Sequence, residues 1–258
     1  MDLQVKSAAE PFNDTASIPF HQGISYEIAH TARQIEEAWR LVYEAYREVG
    51  FVQPNPYGMH AAAEALGPHC AVILARAGSV PIGTITSITD GEAGLPLDSV
   101  YEAELNEIRC RGGKLLEIGL FADRRHNLGN SFTNLLELMR QAFWFGAAFG
   151  ATDYICGIPP RRAKLYAQWF GFTPVGEVKS YATVSDNPVQ LMHVPMDYIE
   201  DSHARHRALN YFMRKPMGTE AFEQRYDFAP EAMSRSRLKY FLEYKRQQPT
   251  AYVAMAGA

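Results

Sequence analysis

Between Lys114 and Ile158 the chain reads as strand, long helix, strand, and this run restricts the fold more than any other. Lys114 to Ala122 and Thr152 to Ile158 are short apolar runs. Between them Phe132, Leu135, Leu136, Met139 and Phe143 recur at helical spacing within Leu128 to Phe149. Two strands joined by such a helix lie parallel. Upstream, Cys70 to Arg76 and Ile82 to Thr89 flank Ala77-Gly78-Ser79 and read as an antiparallel hairpin. Parallel and antiparallel pairs together predict a mixed sheet with helices on both faces, an α/β (α+β) fold.

The remaining elements fit around that sheet. Ser25 to His30 reads as a first strand. Thr31 and Gln34 have capping-box spacing, so each side chain meets an orphan amide of the other's backbone. Behind them Ile35, Ala38, Trp39, Val42, Tyr43, Tyr46 and Val49 repeat at helical spacing up to Gly50. A short alanine-rich helix is expected around Ala61 to Leu66. A further helix is expected from Asp98 to Cys110, closed by Arg111-Gly112-Gly113. Arg161 to Phe170 reads as a helix stopped by Gly171, and Val189 to Met196 as a last strand. Three parts are expected: a loose arm over 1–24, a main domain over 25–198, and a helical, aromatic-rich extension over 199–258. The extension holds ten Lys/Arg against seven Asp/Glu, so the whole-chain charge of −4 leaves −7 on the first 198 residues.

Charge and pattern exclude several functions. A net acidic chain has no general affinity for nucleic acid. Cys70, Cys110 and Cys156 lack paired spacing, so neither a zinc site nor a disulfide framework is expected. The first 20 residues lack a basic start followed by an apolar run, and no apolar stretch approaches the roughly 18 residues of a membrane span. The expectation is a cytoplasmic protein.

Three stretches carry a resemblance. One runs from Gly94-Leu95-Pro96-Leu97-Asp98-Ser99-Val100-Tyr101 into Leu116-Glu117-Ile118-Gly119-Leu120-Phe121-Ala122. Another is Pro159-Pro160-Arg161-Arg162-Ala163-Lys164-Leu165-Tyr166 with Trp169-Phe170-Gly171-Phe172. The third is Val42 to Phe51 on the first helix. Over residues 25 to 196 they resemble the bacterial long-chain N-acyl amino acid synthases of the FeeM type. Those synthases fall within the superfamily of the GCN5-related N-acyltransferase fold. Leu116 to Phe121 is also similar to a stretch of the acyl-homoserine lactone synthases, except that Leu120 replaces their arginine. The resemblance implies an acyltransferase that moves an acyl group from a thioester to a small amine.

It also implies roles for residues. Glu117 would line the active site and accept the amine's proton; an ammonium cannot attack a thioester, and α-amines have pKa of roughly 8. A structural ion pair is the other reading of Glu117. Tyr166 would donate to the thioester sulfur or the leaving thiolate, or be a core aromatic. The backbone near Leu120 and Phe121 would polarise the thioester carbonyl. Tyr43, Tyr46 and Arg47 are read as candidates to hold the acceptor, Arg47 either pairing with a carboxylate or standing as a helix-surface arginine. Cys156 is open between nucleophile and buried thiol.

The donor is read from the stretch after the central strand. Coenzyme A enzymes of this superfamily carry a glycine-rich loop there, whose amides meet a pyrophosphate. Here Asp123-Arg124-Arg125-His126-Asn127-Leu128-Gly129-Asn130 keeps only Gly129. An acyl carrier protein needs less of that loop, and Arg124, Arg125, Arg161, Arg162 and Lys164 would form a basic rim for it. Three readings stand: a carrier-dependent N-acyl amino acid synthase without a tightly bound cofactor, a coenzyme A-dependent acyltransferase on another small amine, or a non-catalytic acyl- or carrier-binding module.

Overall fold

The computed structural model describes residues 23–66, 70–124, 131–222 and 237–247. The strands are β1 (Ile24–Ile28), β2 (Cys70–Ala77), β3 (Val80–Thr89), β4 (Leu115–Asp123), β5 (Asp153–Ile158), β6 (Thr173–Tyr181) and β7 (Asn187–Pro195). They form one sheet in the order β1-β2-β3-β4-β5-β7-β6. Only β4 and β5 pair in parallel, joined by helix α3 (Ser131–Ala148). The other neighbours are antiparallel. The mixed α/β sheet read from the sequence is thus present.

Local chemistry sets the helix ends. Helix α1 (Ala32–Glu48) opens on the expected capping box: Gln34 N–H donates to Thr31 Oγ1 at 3.3 Å, and Thr31 N–H to Gln34 Oε1 at 3.0 Å. Helix α2 spans Asp98–Cys110. Helix α4 (Ala163–Phe170) ends at Gly171, whose φ of +72° a side chain would resist. The alanine-rich piece is a single 3-10 turn, Ala63–Leu66.

Each face of the sheet has its own core. On one, α3 and α4 pack Leu138, Met139, Phe143 and Phe170 against Leu116, Ile118 and Tyr154. On the other, α1 and α2 pack Trp39, Val42, Tyr101 and Leu105 against Leu115, Ile155 and Leu191. The expected C-terminal helices divide between these faces. Helices α5 (Met196–Ser202) and α6 (Arg207–Arg214) join the α3 side, where Trp144 Nε1 donates to the Phe212 carbonyl at 3.1 Å. Helix α7 (Arg237–Gln247) joins the α1 side, with the Phe241 ring 5.8 Å from Trp39. Leu238 and Phe241 are fully buried there, a contribution of roughly 1.5–3 kcal/mol each.

Two sequence expectations change. Strand β6 is not legible in its residues, because it is exposed along most of its length and carries Pro174, Gly176, Glu177 and Lys179 at the sheet edge. Simple alternation along β4 places Leu120 with Leu116 and Ile118, and Phe121 with Glu117. The structure reverses both, for a reason that belongs to the site.

Candidate active site

Strands β4 and β5 pair only through Leu115–Asp153, Leu116–Tyr154 and Glu117–Ile155. Beyond Glu117 they part. At the same point β4 breaks register with β3: Gly119 faces Thr86 and Ala122 faces Thr84, leaving Leu120 and Phe121 opposite Ile85 alone. This is a β-bulge, and Leu120 takes a left-handed φ of +50° to make it. Such a conformation costs a leucine about 1–2 kcal/mol. The extra residue exchanges the faces. Leu120 packs with the α1 and α2 core, on the side of Glu117, while Phe121 packs with the α3 core.

Glu117 is buried, 6% exposed. Its Oε2 accepts the backbone N–H of Leu97 at 3.0 Å. Burial pushes its carboxyl up to about 8; the Leu97 bond opposes that, and the charges of Glu64 and Asp98 add to it. The carboxyl therefore titrates near neutrality, which suits a proton acceptor. It opens on a cleft lined by Glu117, Gly119, Leu120, Tyr46, His60 and Tyr181 among others. A side chain added at Gly119 would meet only Glu117 Oε1, at 3.7 Å, so the floor beside the carboxyl is open.

Tyr46 and Tyr181 line the cleft beside the carboxyl, whereas Tyr166 is not among its lining residues and packs with the α3 core. Burial, then the Glu117 charge, pushes Tyr46 up to about 12. Tyr181 donates to the Pro96 carbonyl at 3.2 Å, and burial and Glu117 push it well above the usual phenol range. Tyr166 stands on α4 with its ring 5.5 Å from Phe170 and 6.0 Å from Phe172. Burial raises its pKa strongly, Cys156 and Tyr46 raise it further, and Arg162 lowers it. Tyr166 therefore stays protonated, a hydrogen-bond donor that releases a proton only to a strong base nearby. Burial and Glu117 also push the Cys156 thiol far up, which holds it neutral and removes the thiolate that a nucleophile needs.

The other expected site residues disperse. Tyr46 reaches the cleft, but Tyr43 accepts the N–H of Asn55 through its hydroxyl at 3.4 Å and serves the loop after α1. Arg47 is exposed and donates to the Val52 carbonyl at 3.3 Å. Arg124 pairs with Glu44 of α1 at 2.5 Å. Arg161, Arg162 and Lys164 are exposed at the start of α4. Arg125 and Gly129 lie outside the described residues. Sequence reading misses His60 and Tyr181. His60 is 6% exposed, its ring 5.4 Å from that of Tyr46. It is a lone histidine after a Pro/Asn loop, and Tyr181 ends the unread β6, so neither carries a pattern.

No helix among the described residues is long and apolar enough to cross a membrane. The parted parallel strands, the bulge and the buried carboxyl beside them form the candidate site of an N-acyltransferase. A sequence model for the N-acyl amino acid synthase FeeM matches residues 37–195, more than half of the chain, and the chain belongs to that family. The solved structure of FeeM, an N-acyl amino acid synthase from uncultured soil microbes, is 26% identical with a TM-score of 0.62. That match covers 73% of this chain and 97% of FeeM. The acyl-homoserine lactone synthase LasI is 15% identical, with TM-score 0.49 over 66% of this chain and 88% of its own. A Drosophila melanogaster polyamine N-acetyltransferase is 13% identical, with TM-score 0.48 over 67% of this chain and its full length. No curated protein matches the sequence.

Proposed function

We propose that this acyltransferase moves a long-chain acyl group from an acyl carrier protein to the α-amine of an amino acid, in the cytoplasm, forming an N-acyl amino acid. The observation that carries the reading is Glu117, a buried carboxyl titrating near 8 at the point where β4 and β5 part. In this reading Glu117 takes a proton from the acceptor ammonium, directly or through one water. The free amine attacks the thioester carbonyl, whose developing negative charge is met by backbone N–H at the Leu120–Phe121 bulge. As the C–S bond breaks, the attacking nitrogen gives up its second proton; Glu117 holds the first, the departing sulfur takes the second, and Tyr166 hydrogen-bonds to that sulfur while keeping its own proton. The step needs no oxidant or metal.

The carrier as donor is supported by the single glycine after β4 and by Arg161, Arg162 and Lys164, which stand exposed at the start of α4. Arg124 would join them by exchanging Glu44 for the carrier's acidic surface. The experiment compares kcat/KM for one acyl chain on a carrier protein and on coenzyme A. A higher value on coenzyme A rejects the carrier.

One observation favours a second acceptor class. Among the described residues, no Lys or Arg lines the cleft beside Glu117. An amine without a carboxylate is the better electrostatic match to such a lining. Comparing an amino acid with its methyl ester decides between them: the free acid is preferred in the first reading and the ester in the second.

A further inference from the structure

The stretch Gly94 to Asp98, which carries part of the family resemblance, is held in a way that the acyl transfer chemistry alone does not account for. Arg109, near the end of α2, contacts two carboxylates at once. Its Nε and Nη2 lie 2.5 and 3.1 Å from Asp90, and its Nη1 and Nη2 lie 2.7 and 2.8 Å from Asp98. The Arg109 side chain is only 24% exposed. Such a planar double fork fixes orientation as well as charge. Asp98 in turn accepts the N–H of Leu95 at 2.7 Å. Gly94 has φ +69°, and a Cβ there would lie 2.8 Å from Asp98 Oδ2, so only glycine lets the carboxylate close on the turn. The turn then delivers Leu97 N–H to Glu117. Its far side is tied as well. Tyr181 donates to the Pro96 carbonyl, and a Cβ at Gly157 would meet Leu97 Cδ2 at 2.7 Å.

We propose that Arg109 is a positioning residue for Glu117: by clasping Asp90 and Asp98 it fixes the Gly94–Leu97 turn that presents the Leu97 amide to the Glu117 carboxylate. The inference rests on the reading of Glu117 as the base, and it deepens that reading. Arg109 touches neither the carboxylate nor the cleft side chains near it. It acts through the turn, and it also neutralises the one charged side chain of α2 that bears on Glu117. The other groups that bear on Glu117 are independent of it: Glu64 from the 3-10 turn, Tyr46 from α1, Cys156 from β5, Tyr181 from β6, and His60 in the same cleft.

A clasp that only stabilised α2 would leave the Glu117 titration where it is, and this separates the two roles. Arg109→Gln leaves Asp90 and Asp98 facing each other without a counter-ion and frees the turn. Loss of the Leu97 N–H and exposure to bare Asp98 both disfavour the carboxylate, so the Glu117 titration should rise by about one pH unit. Asp98→Asn removes a negative charge but keeps an oxygen for Leu95 N–H and Asp90 for Arg109, so the titration should fall. The full-length protein is titrated by infrared spectroscopy with carboxyl-labelled glutamate, the Glu117 band being assigned by its loss in Glu117→Gln. Opposite shifts in the two variants support the proposal, with Arg109→Lys intermediate. If Arg109→Gln does not fold, Arg109→Lys and Asp98→Asn carry the same comparison. No shift, or shifts of one sign, overturns it. Should the titration move while the pH profile of kcat/KM does not, the clasp stands and Glu117 is not the base.

Discussion

Leu97 donates its backbone N–H to the Glu117 carboxylate at 3.0 Å, so among the described residues a turn twenty positions upstream supplies the hydrogen bond that favours the charged carboxylate. Without it, burial and two nearby carboxylates would drive Glu117 further from ionisation. Helix α2 therefore does more than add apolar bulk. It opens with the turn that makes a buried carboxylate tolerable on a central strand.

Glu117→Gln should lower turnover by about 10²- to 10⁴-fold, the usual worth of a positioned base. Glutamine keeps the shape and can still accept from Leu97. In the unchanged protein, kcat/KM should climb with pH to a shoulder near 8, as the carboxyl ionises. Steady-state rates from pH 6 to 9 on the folded variant check both statements. Full activity of the Glu117→Gln variant across that range assigns Glu117 a structural role.

The same group shapes stability against pH. Its folded pKa of about 8 lies above the unfolded value of 4.5, so between those values the folded chain holds a proton that the unfolded chain has lost. Stability from this group is then full below pH 4.5 and drains away as pH rises to about 8. Other carboxylates paired in the fold act in the opposite sense, so the comparison must be made between variants. The Tm difference, Glu117→Gln minus unchanged protein, should grow from pH 5 to pH 8. A flat difference places the ionisation elsewhere.

Acyl-chain preference tests the size of the cleft. Ile88, Leu97, Leu120, Ile158 and Val189 give it apolar walls. Each methylene buried there favours binding by roughly 0.8 kcal/mol, so C12 to C16 donors should far exceed acetyl in kcat/KM. Equal values for acetyl and dodecanoyl donors would show that the walls do not hold a chain.

What the sequence made legible is what depends on neighbours in the chain. The Thr31–Gln34 box, the ends of α2 and the β4–α3–β5 crossover follow from local capping and period, and all three stand in the structure. The Leu120 bulge does not, because leucine has no preference for a left-handed φ and only the β3 register forces it. The bulge reverses the faces of Leu120 and Phe121, a change that no period-2 count can detect. The Arg109 clasp joins residues 11 and 19 positions apart, beyond the i, i+3 and i, i+4 pairs that local helix spacing signals.

Helix α7 should matter to stability although it lies beyond the matched family region. Phe241 is 1% exposed and packs on Trp39 and Tyr57. Phe241→Ala should cost about 3–5 kcal/mol, read by denaturant unfolding. Tyr240→Ala, on the exposed side of the helix, should cost little. A small loss at Phe241 would mean that α7 is not docked in solution.

Carrier recognition gives the last test, and the structure grades it. Arg161 and Arg162 are exposed where β5 gives way to α4, whereas Arg124 is engaged by Glu44. An acidic carrier approaching the parted ends of β4 and β5 meets Arg161 and Arg162 directly, but must displace Glu44 to reach Arg124. Exposed charges act mainly on association, so charge reversal should raise KM more than it lowers kcat. Arg161→Glu is therefore expected to raise KM for the acyl-carrier donor several-fold, and Arg124→Glu to raise it less. Neither change should alter KM for an acyl-pantetheine fragment, which lacks the carrier's surface. Added salt should weaken the carrier donor in the unchanged protein and have little left to weaken in Arg161→Glu. Equal loss with both donors would trace the effect to the cleft itself, and the rim would have no part in choosing the donor.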